Sequence, residues 1–168
     1  MPATGFGTRM AVRSSSARRA DELVTAIRVP KPAQGTASTF LKLGARRYLV
    51  ISIVMAAATI EPDARNQVRR ARIAIGACAP AAQRVPALES ALIGVPIDAA
   101  LGTVACAEHL AQVLAPIDDV RGSAGYRNDA ALTLVRRALA ALGTQMERSP
   151  NAERSPNAER SPNAERSP

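Results

Sequence analysis

The stretch STFLKLGARRYLVISIVMAAATI, residues 38–60, decides what kind of molecule this is. Lys42, Arg46 and Arg47 stand directly before thirteen nearly uncharged residues, 48–60. A basic flank before an apolar run fits a membrane segment. It fits equally a polar strand end leading into a core. Length separates the two. A spanning helix needs about 20 consecutive apolar residues, and a run of 10–14 more often means core. Ser52 and Thr59 also interrupt this run. Its front half, YLVISIV (residues 48–54), is rich in β-branched and aromatic residues, which fit a pleated surface. Glu61, Pro62 and Asp63 then supply turn chemistry. The reading is a largely buried strand, apolar on both faces, and no membrane segment.

The rest of the chain divides by composition into three parts. Residues 1–20 hold Arg9, Arg13, Arg18 and Arg19, no acid, and the serines Ser14, Ser15 and Ser16. That is the composition of a poorly ordered basic leader, and it resembles an organelle transit peptide. It lacks the apolar core of a secretory signal, so a cytoplasmic protein is expected. From Glu147 the chain reads ERSP and then NAERSP three times. The repeat has no apolar face and one Glu per Arg, which predicts a disordered, electrically neutral tail over 147–168. The middle, residues 21–146, holds fourteen Lys or Arg and ten Asp or Glu. It is long enough for one domain with a real core. The formal net charge of +8 is therefore shared between leader and middle.

Around the apolar run, "ELVTAIRV" (22–29) suits a strand ended by Pro30. Residues 36–43 suit a second. Residues 68–79, VRRARIAIGACA, alternate as a strand with one polar side, and the short loop at 61–67 predicts antiparallel pairing with the apolar run. The second half reads as helices. Pro86 opens the first, which Gly94 closes. Asp98 caps a second over 99–114, with Leu101, Val104, Leu110 and Leu114 near one face. Ser123 caps a third, in which Tyr126, Ala130, Leu134, Val135, Ala138, Leu139 and Leu142 form an apolar stripe and Gly143 marks the end. Strands followed by helices imply α+β: an antiparallel sheet of three or four strands packed on three helices.

Candidate chemistry is sparse. Cys78 and Cys106 cannot by themselves build a four-thiolate metal centre, and buried reduced thiols are expected. His109, the single histidine, has no partner cluster in the sequence. Asp118 and Asp119 precede Arg121, which favours a loop ion pair over acid–base chemistry. A sequence pI of about 10.9 raises nucleic-acid binding. The arginines are dispersed, however, and only four aromatic residues are present, so stacking platforms are scarce and no nucleic-acid partner is expected.

Five segments in order carry a resemblance: DELVTAIRVP, STFLKLGARR, RARIAIGACAP, ALESALIG and DDVRGSAGYRNDAALTLVRRAL. Together they resemble the C-terminal domain of the FAD-binding (medium) subunit of molybdenum hydroxylases, the carbon monoxide dehydrogenase and xanthine dehydrogenase family. The resemblance covers about residues 21–142. It implies an α+β sandwich and an oxidoreductase subunit passing electrons from iron–sulfur centres through FAD to an external acceptor. The iron–sulfur subunit and the molybdopterin subunit would be its partners. It also implies two cofactor-binding residues. Lys42 matches the lysine that approaches the flavin, and Val24 matches an aliphatic residue that lines it. Nothing in the chain resembles the family's upstream FAD subdomains. TGFGT (4–8) is a lone glycine pair with no strand–helix pattern after it. Weak or absent FAD binding is therefore expected of the isolated chain, as is no catalysis. The alternative is a truncated fragment without independent activity.

Overall fold

The apolar run does form a buried strand, displaced toward its C-terminal half. The computed structural model describes residues 31–46 and 50–148, and all of these except Lys31 belong to one unit. Within it, β1 spans Ala37–Leu43, β2 Val54–Pro62, β3 Val68–Gly76 and β4 Gln83–Arg84. They form one antiparallel sheet in the order β1-β2-β3-β4. The expected strand at 22–29 and the leader lie outside the described residues, as does the chain beyond Arg148.

The strand begins at Val54, not at 48. Residues 50–53 are irregular, and Tyr48 and Leu49 lie outside the described residues. Ile53 shows why. Its N–H still donates to the Leu43 carbonyl at 2.8 Å, but its own carbonyl turns away from the ladder to accept from Arg127 Nη1 at 2.8 Å. Likewise β3 stops at Gly76 and does not reach 79, because Ala77 takes a φ of 67°. The two-residue β4 has no alternating pattern to betray it, so its sequence reads as loop.

Period-two alternation sets the two faces of the sheet. Val54, Ala56, Ala58 and Ile60 of β2, and Ala71, Ile73 and Ile75 of β3, join one core with the helices. The register places Ala56 beside Ile75, Ala58 beside Ile73 and Ile60 beside Ala71. The opposite face carries rows of outward residues: Lys42, Met55 and Gly76; Phe40, Ala57 and Ala74; Ser38, Thr59 and Arg72. At the far end of β2 the register shifts between Glu61 and Pro62, so that Glu61 opposes Arg70 while Pro62 opposes Val68. This bulge leaves Arg69 as an extra residue, and Arg69 and Arg70 are both exposed.

The first helix, α1 (Pro86–Ala91), begins with proline and turns off through Gly94, whose φ of 78° suits a residue without Cβ. The single helix expected over 99–114 is two pieces: a 3-10 helix at Ala99–Val104 and α2 at Ala107–Ala111. Asp98 does cap the first, accepting from the Ala100 N–H at 2.8 Å. The break is at Ala105, which is extended and gives its carbonyl to Arg136 Nε at 3.0 Å. A tertiary hydrogen bond thus replaces the helical one.

The long helix α3 (Ala124–Glu147) packs across β1, β2 and the 3-10 helix. Ser123 caps it, accepting from the Tyr126 N–H at 3.2 Å. Ala130, Leu134, Val135, Ala138, Leu139 and Leu142 are buried as the stripe requires, but Tyr126 is exposed and Arg127 is buried in its stead. Gly143 does not end the helix. It is buried mid-helix, and a Cβ there would collide with the Asp98 carbonyl. The helix runs four residues further, so Glu147, expected as the first residue of the tail, is its last turn. Among the described residues no helix is long and apolar enough to cross a membrane.

Candidate functional site

Lys42 is the next-to-last residue of β1 and projects from the face away from the helices, opposite Met55. The Met55 side chain in turn lies over Gly76, where a Cβ would meet its Cε at 2.8 Å. Lys42 Nζ donates to the Val50 carbonyl at 2.9 Å. An ammonium group has three N–H donors, so this bond fixes the amine while leaving donors to spare. The residue is exposed, and the bond folds the segment after β1 back beside it. Val24, the other residue carried by the resemblance, lies outside the described residues.

The loops at this end of the sheet are held by Arg127, only 3% exposed. Its Nη1 donates to the carbonyls of Ile53 at 2.8 Å and Ala77 at 3.1 Å, and its Nη2 donates to Asp119 Oδ1 at 2.7 Å. One guanidinium therefore ties the entry to β2, the exit from β3 and the loop before α3. It also compensates the left-handed Ala77, a conformation costing a non-glycine residue about 1 kcal/mol. Among the described residues its Nε has no partner. Asp119 accepts from the Arg121 backbone N–H at 2.8 Å and pairs with Arg121 Nη1 at 2.6 Å. The backbone N–H of Arg121, with Arg127 and Arg121 adding their charges, holds the Asp119 carboxyl below the usual carboxylate range. The expected ion pair at Asp118-Asp119 is thus present, with a second, buried partner that the sequence does not reveal. Arginine within an apolar stripe reads as a solvated position, and only tertiary packing shows it as the buried hub.

Large apolar side chains are exposed around this hub. Ile51 precedes Ile53 by two residues, Ile117 and Val120 flank Asp119, and Tyr126 adjoins Arg127. Val120 is fully exposed at the tip of a turn closed by reciprocal bonds between Asp119 and Gly122. This end of the sheet therefore carries a fixed cation and, in the loops held by Arg127, exposed apolar side chains. At the N-terminus of α3, the N–H of Ala124 donates to Asp118 Oδ1 at 2.5 Å and that of Tyr126 to Ser123 Oγ at 3.2 Å. Two cavities, of about 580 and 480 Å³, are lined by residues of α3 and the 3-10 helix and not by Lys42.

The remaining candidates have structural roles. Cys78 is buried and free, and burial pushes its thiol up, with the Arg127 charge opposing. Cys106 is free and half-buried, and its Sγ lies 3.2 Å from His109 Nδ1. His109 Nδ1 also accepts from the Cys106 N–H at 3.4 Å. The single histidine thus serves as a local cap of α2 beside Cys106. Among the described residues no group of His, Cys, Asp and Glu could hold a metal ion.

An antiparallel sheet backed by helices, with an ammonium at its rim, defines an α+β module that presents a cation to whatever is set against that rim. The family of such modules is known. The CO dehydrogenase flavoprotein C-terminal domain matches over residues 39–142, and the chain belongs to that family. Solved structures agree. A chain of the carbon monoxide dehydrogenase from Hydrogenophaga pseudoflava is similar at 31% identity, with a TM-score of 0.59, and a chain of quinoline 2-oxidoreductase from Pseudomonas putida 86 at 28%, with the same score. The CO dehydrogenase from Oligotropha carboxidovorans, at 24% identity, shares the fold. In each case the match covers 68% of this chain and 39% of the other, so the chain spans well under half the length of these relatives. No curated protein matches it.

Proposed function

We propose that this chain acts as the C-terminal domain of an FAD-binding subunit in a molybdenum-hydroxylase-type oxidoreductase. Electrons would pass between iron–sulfur centres, FAD and an external acceptor, and the iron–sulfur and molybdopterin subunits would be its partners in the cytoplasm. The observation that carries this reading is the position of Lys42. It stands at an exposed rim with its amine fixed by Val50, on a chain that belongs to a flavoprotein family.

FAD supplies the redox chemistry when bound. The part of this chain would be electrostatic. A cation near the ring favours the reduced, more negative flavin and raises its potential, the usual lever of a protein on such a cofactor. Val24 would add an apolar wall. With N–H groups at the start of α3 bonded to Asp118 and Ser123, the pyrophosphate would be held by the other parts of a family subunit. The chain alone is therefore expected to purify colourless. Flavin absorbance, measured on the chain alone and after co-expression with the FAD-holding part of a family subunit, tests this. Flavin retained only in the second case supports the reading, and Lys42→Met should then lower the flavin potential. Tight stoichiometric flavin on the chain alone would show a complete FAD site.

A second reading, that the chain as it stands has no activity of its own, is favoured by its spanning 39% of the solved relatives. Flavin absent under both conditions would support it.

A further inference from the structure

The outer face of the sheet carries a second charged feature, at the end opposite Lys42. Glu61 is only 4% exposed although it points away from the core, because three arginines cover it. Arg72 Nη1 bonds its Oε1 at 2.8 Å, while Arg69 Nη2 and Arg70 Nη1 stand 3.4 and 3.6 Å from its Oε2. The bulge makes this convergence. Successive strand residues point to opposite faces, but the extra residue puts Arg69 on the same side as Arg70. One carboxylate cannot satisfy three guanidinium groups. Arg69 and Arg70 remain 57% exposed, and the cluster keeps a net charge of about +2 by formal valence.

We propose that this arginine cluster is the docking point for an acidic segment of a partner protein, whose carboxylates complete the coordination that Glu61 begins. Charge complementarity argues for the occupant. Guanidinium groups can bind carboxylates in a planar, two-pronged manner, and Glu61 engages each arginine through a single nitrogen only, so donors are left over for an incoming carboxylate. A nucleic acid is disfavoured by the arrangement. Phosphates would need a track of cations, whereas Arg84 is tied to Glu89 through two bonds of 2.6 Å and Arg136 reaches inward to Ala105. The inference does not depend on the flavin reading, because the cluster and Lys42 lie at opposite ends of the sheet.

The test uses the full chain and a fluorescent oligoglutamate peptide of about ten residues, at low and at physiological salt. Binding should weaken about tenfold in the variant Arg69→Gln/Arg70→Gln. It should hold within about twofold in the control Arg137→Gln/Arg148→Gln, which removes the same charge from α3 and the residue that follows it. Glu61→Gln frees the guanidinium groups, so it should tighten peptide binding about threefold, while Asp129→Asn, the same charge change on α3, should not. A cluster that serves only the fold would leave binding unmoved by Glu61→Gln. Equal losses in the two double variants would overturn the proposal. So would binding of a DNA duplex with the same dependence on Arg69 and Arg70.

Discussion

Three residues decide more than their exposure suggests. Arg127 replaces an apolar neighbour in the stripe of α3 and bonds three loops. Removing one partner of a buried pair costs about 3–5 kcal/mol, because the other groups are left without water or partner. Arg127→Met should therefore destabilise the domain by about 3 kcal/mol in chemical denaturation. Gly143 poses a conflict between two effects. Glycine to alanine inside a helix gains about 1 kcal/mol of propensity. Here the added methyl would strike the Asp98 carbonyl, which is backbone and cannot swing aside. The clash wins, and Gly143→Ala should cost about 2 kcal/mol or more in the same measurement. Asp119 sets the sign of a pH effect. Its carboxyl sits below the ordinary value of 3.8 in the folded protein. Its contribution is thus complete above that value and is lost as pH falls through the lower, folded value. Acid unfolding of the wild type should show this loss, and Asp119→Asn should flatten the curve in that window. A variant as acid-sensitive as the parent would mean that the lowered Asp119 carboxyl contributes nothing to this loss.

At the scale of elements, the sequence is legible where period and punctuation agree. The strand at Ala37–Leu43, the antiparallel hairpin across Asp63, and the caps at Asp98 and Ser123 follow from alternation, turn residues and short polar side chains. Asp63 even repeats the logic of the caps, taking the N–H groups of Arg65 and Gln67 at 2.8 Å each. The Gln67 bond chiefly holds its carboxyl below the usual range. The misreadings share one cause, a tertiary partner that local rules do not contain. Residues 50–53 have strand composition, but Arg127 claims the Ile53 carbonyl. The helix expected over 99–114 breaks where Arg136 claims the Ala105 carbonyl. Gly143 looks like a helix terminator and is instead the notch into which another backbone fits. The candidate site was legible in part. Lys42 emerges from resemblance and not from its own pattern, since a lone lysine near a strand end is ordinary. The rim that surrounds it needed the fold.

For the whole molecule, the outward charges of the sheet are separated along its length. Lys42 and the arginine cluster stand at opposite ends of one sheet face, so each can be neutralised without disturbing the other. Effects of Lys42→Met and Arg69→Gln/Arg70→Gln on stability should add within about 0.5 kcal/mol, as expected for separate sites. Coupling well beyond that would mean the outer face responds as one electrostatic unit. The repeat after Arg148 offers no apolar residue larger than alanine or proline to bury. Deleting residues 149–168 should leave the unfolding free energy unchanged within about 0.5 kcal/mol.

The helix α3 works as a ruler between two marks. Arg127 near its start locks onto the strand-end loops, and Gly143 near its finish nests against Asp98, sixteen positions on. At 1.5 Å per residue the marks stand about 24 Å apart, and each residue also turns the helix by about 100°. Inserting or deleting a single amino acid between them would swing one mark out of its seat while leaving composition and amphipathic character almost untouched. Length between Arg127 and Gly143 is therefore fixed twice over, since even a whole added turn would restore the angle but shift one mark about 5.4 Å along the axis.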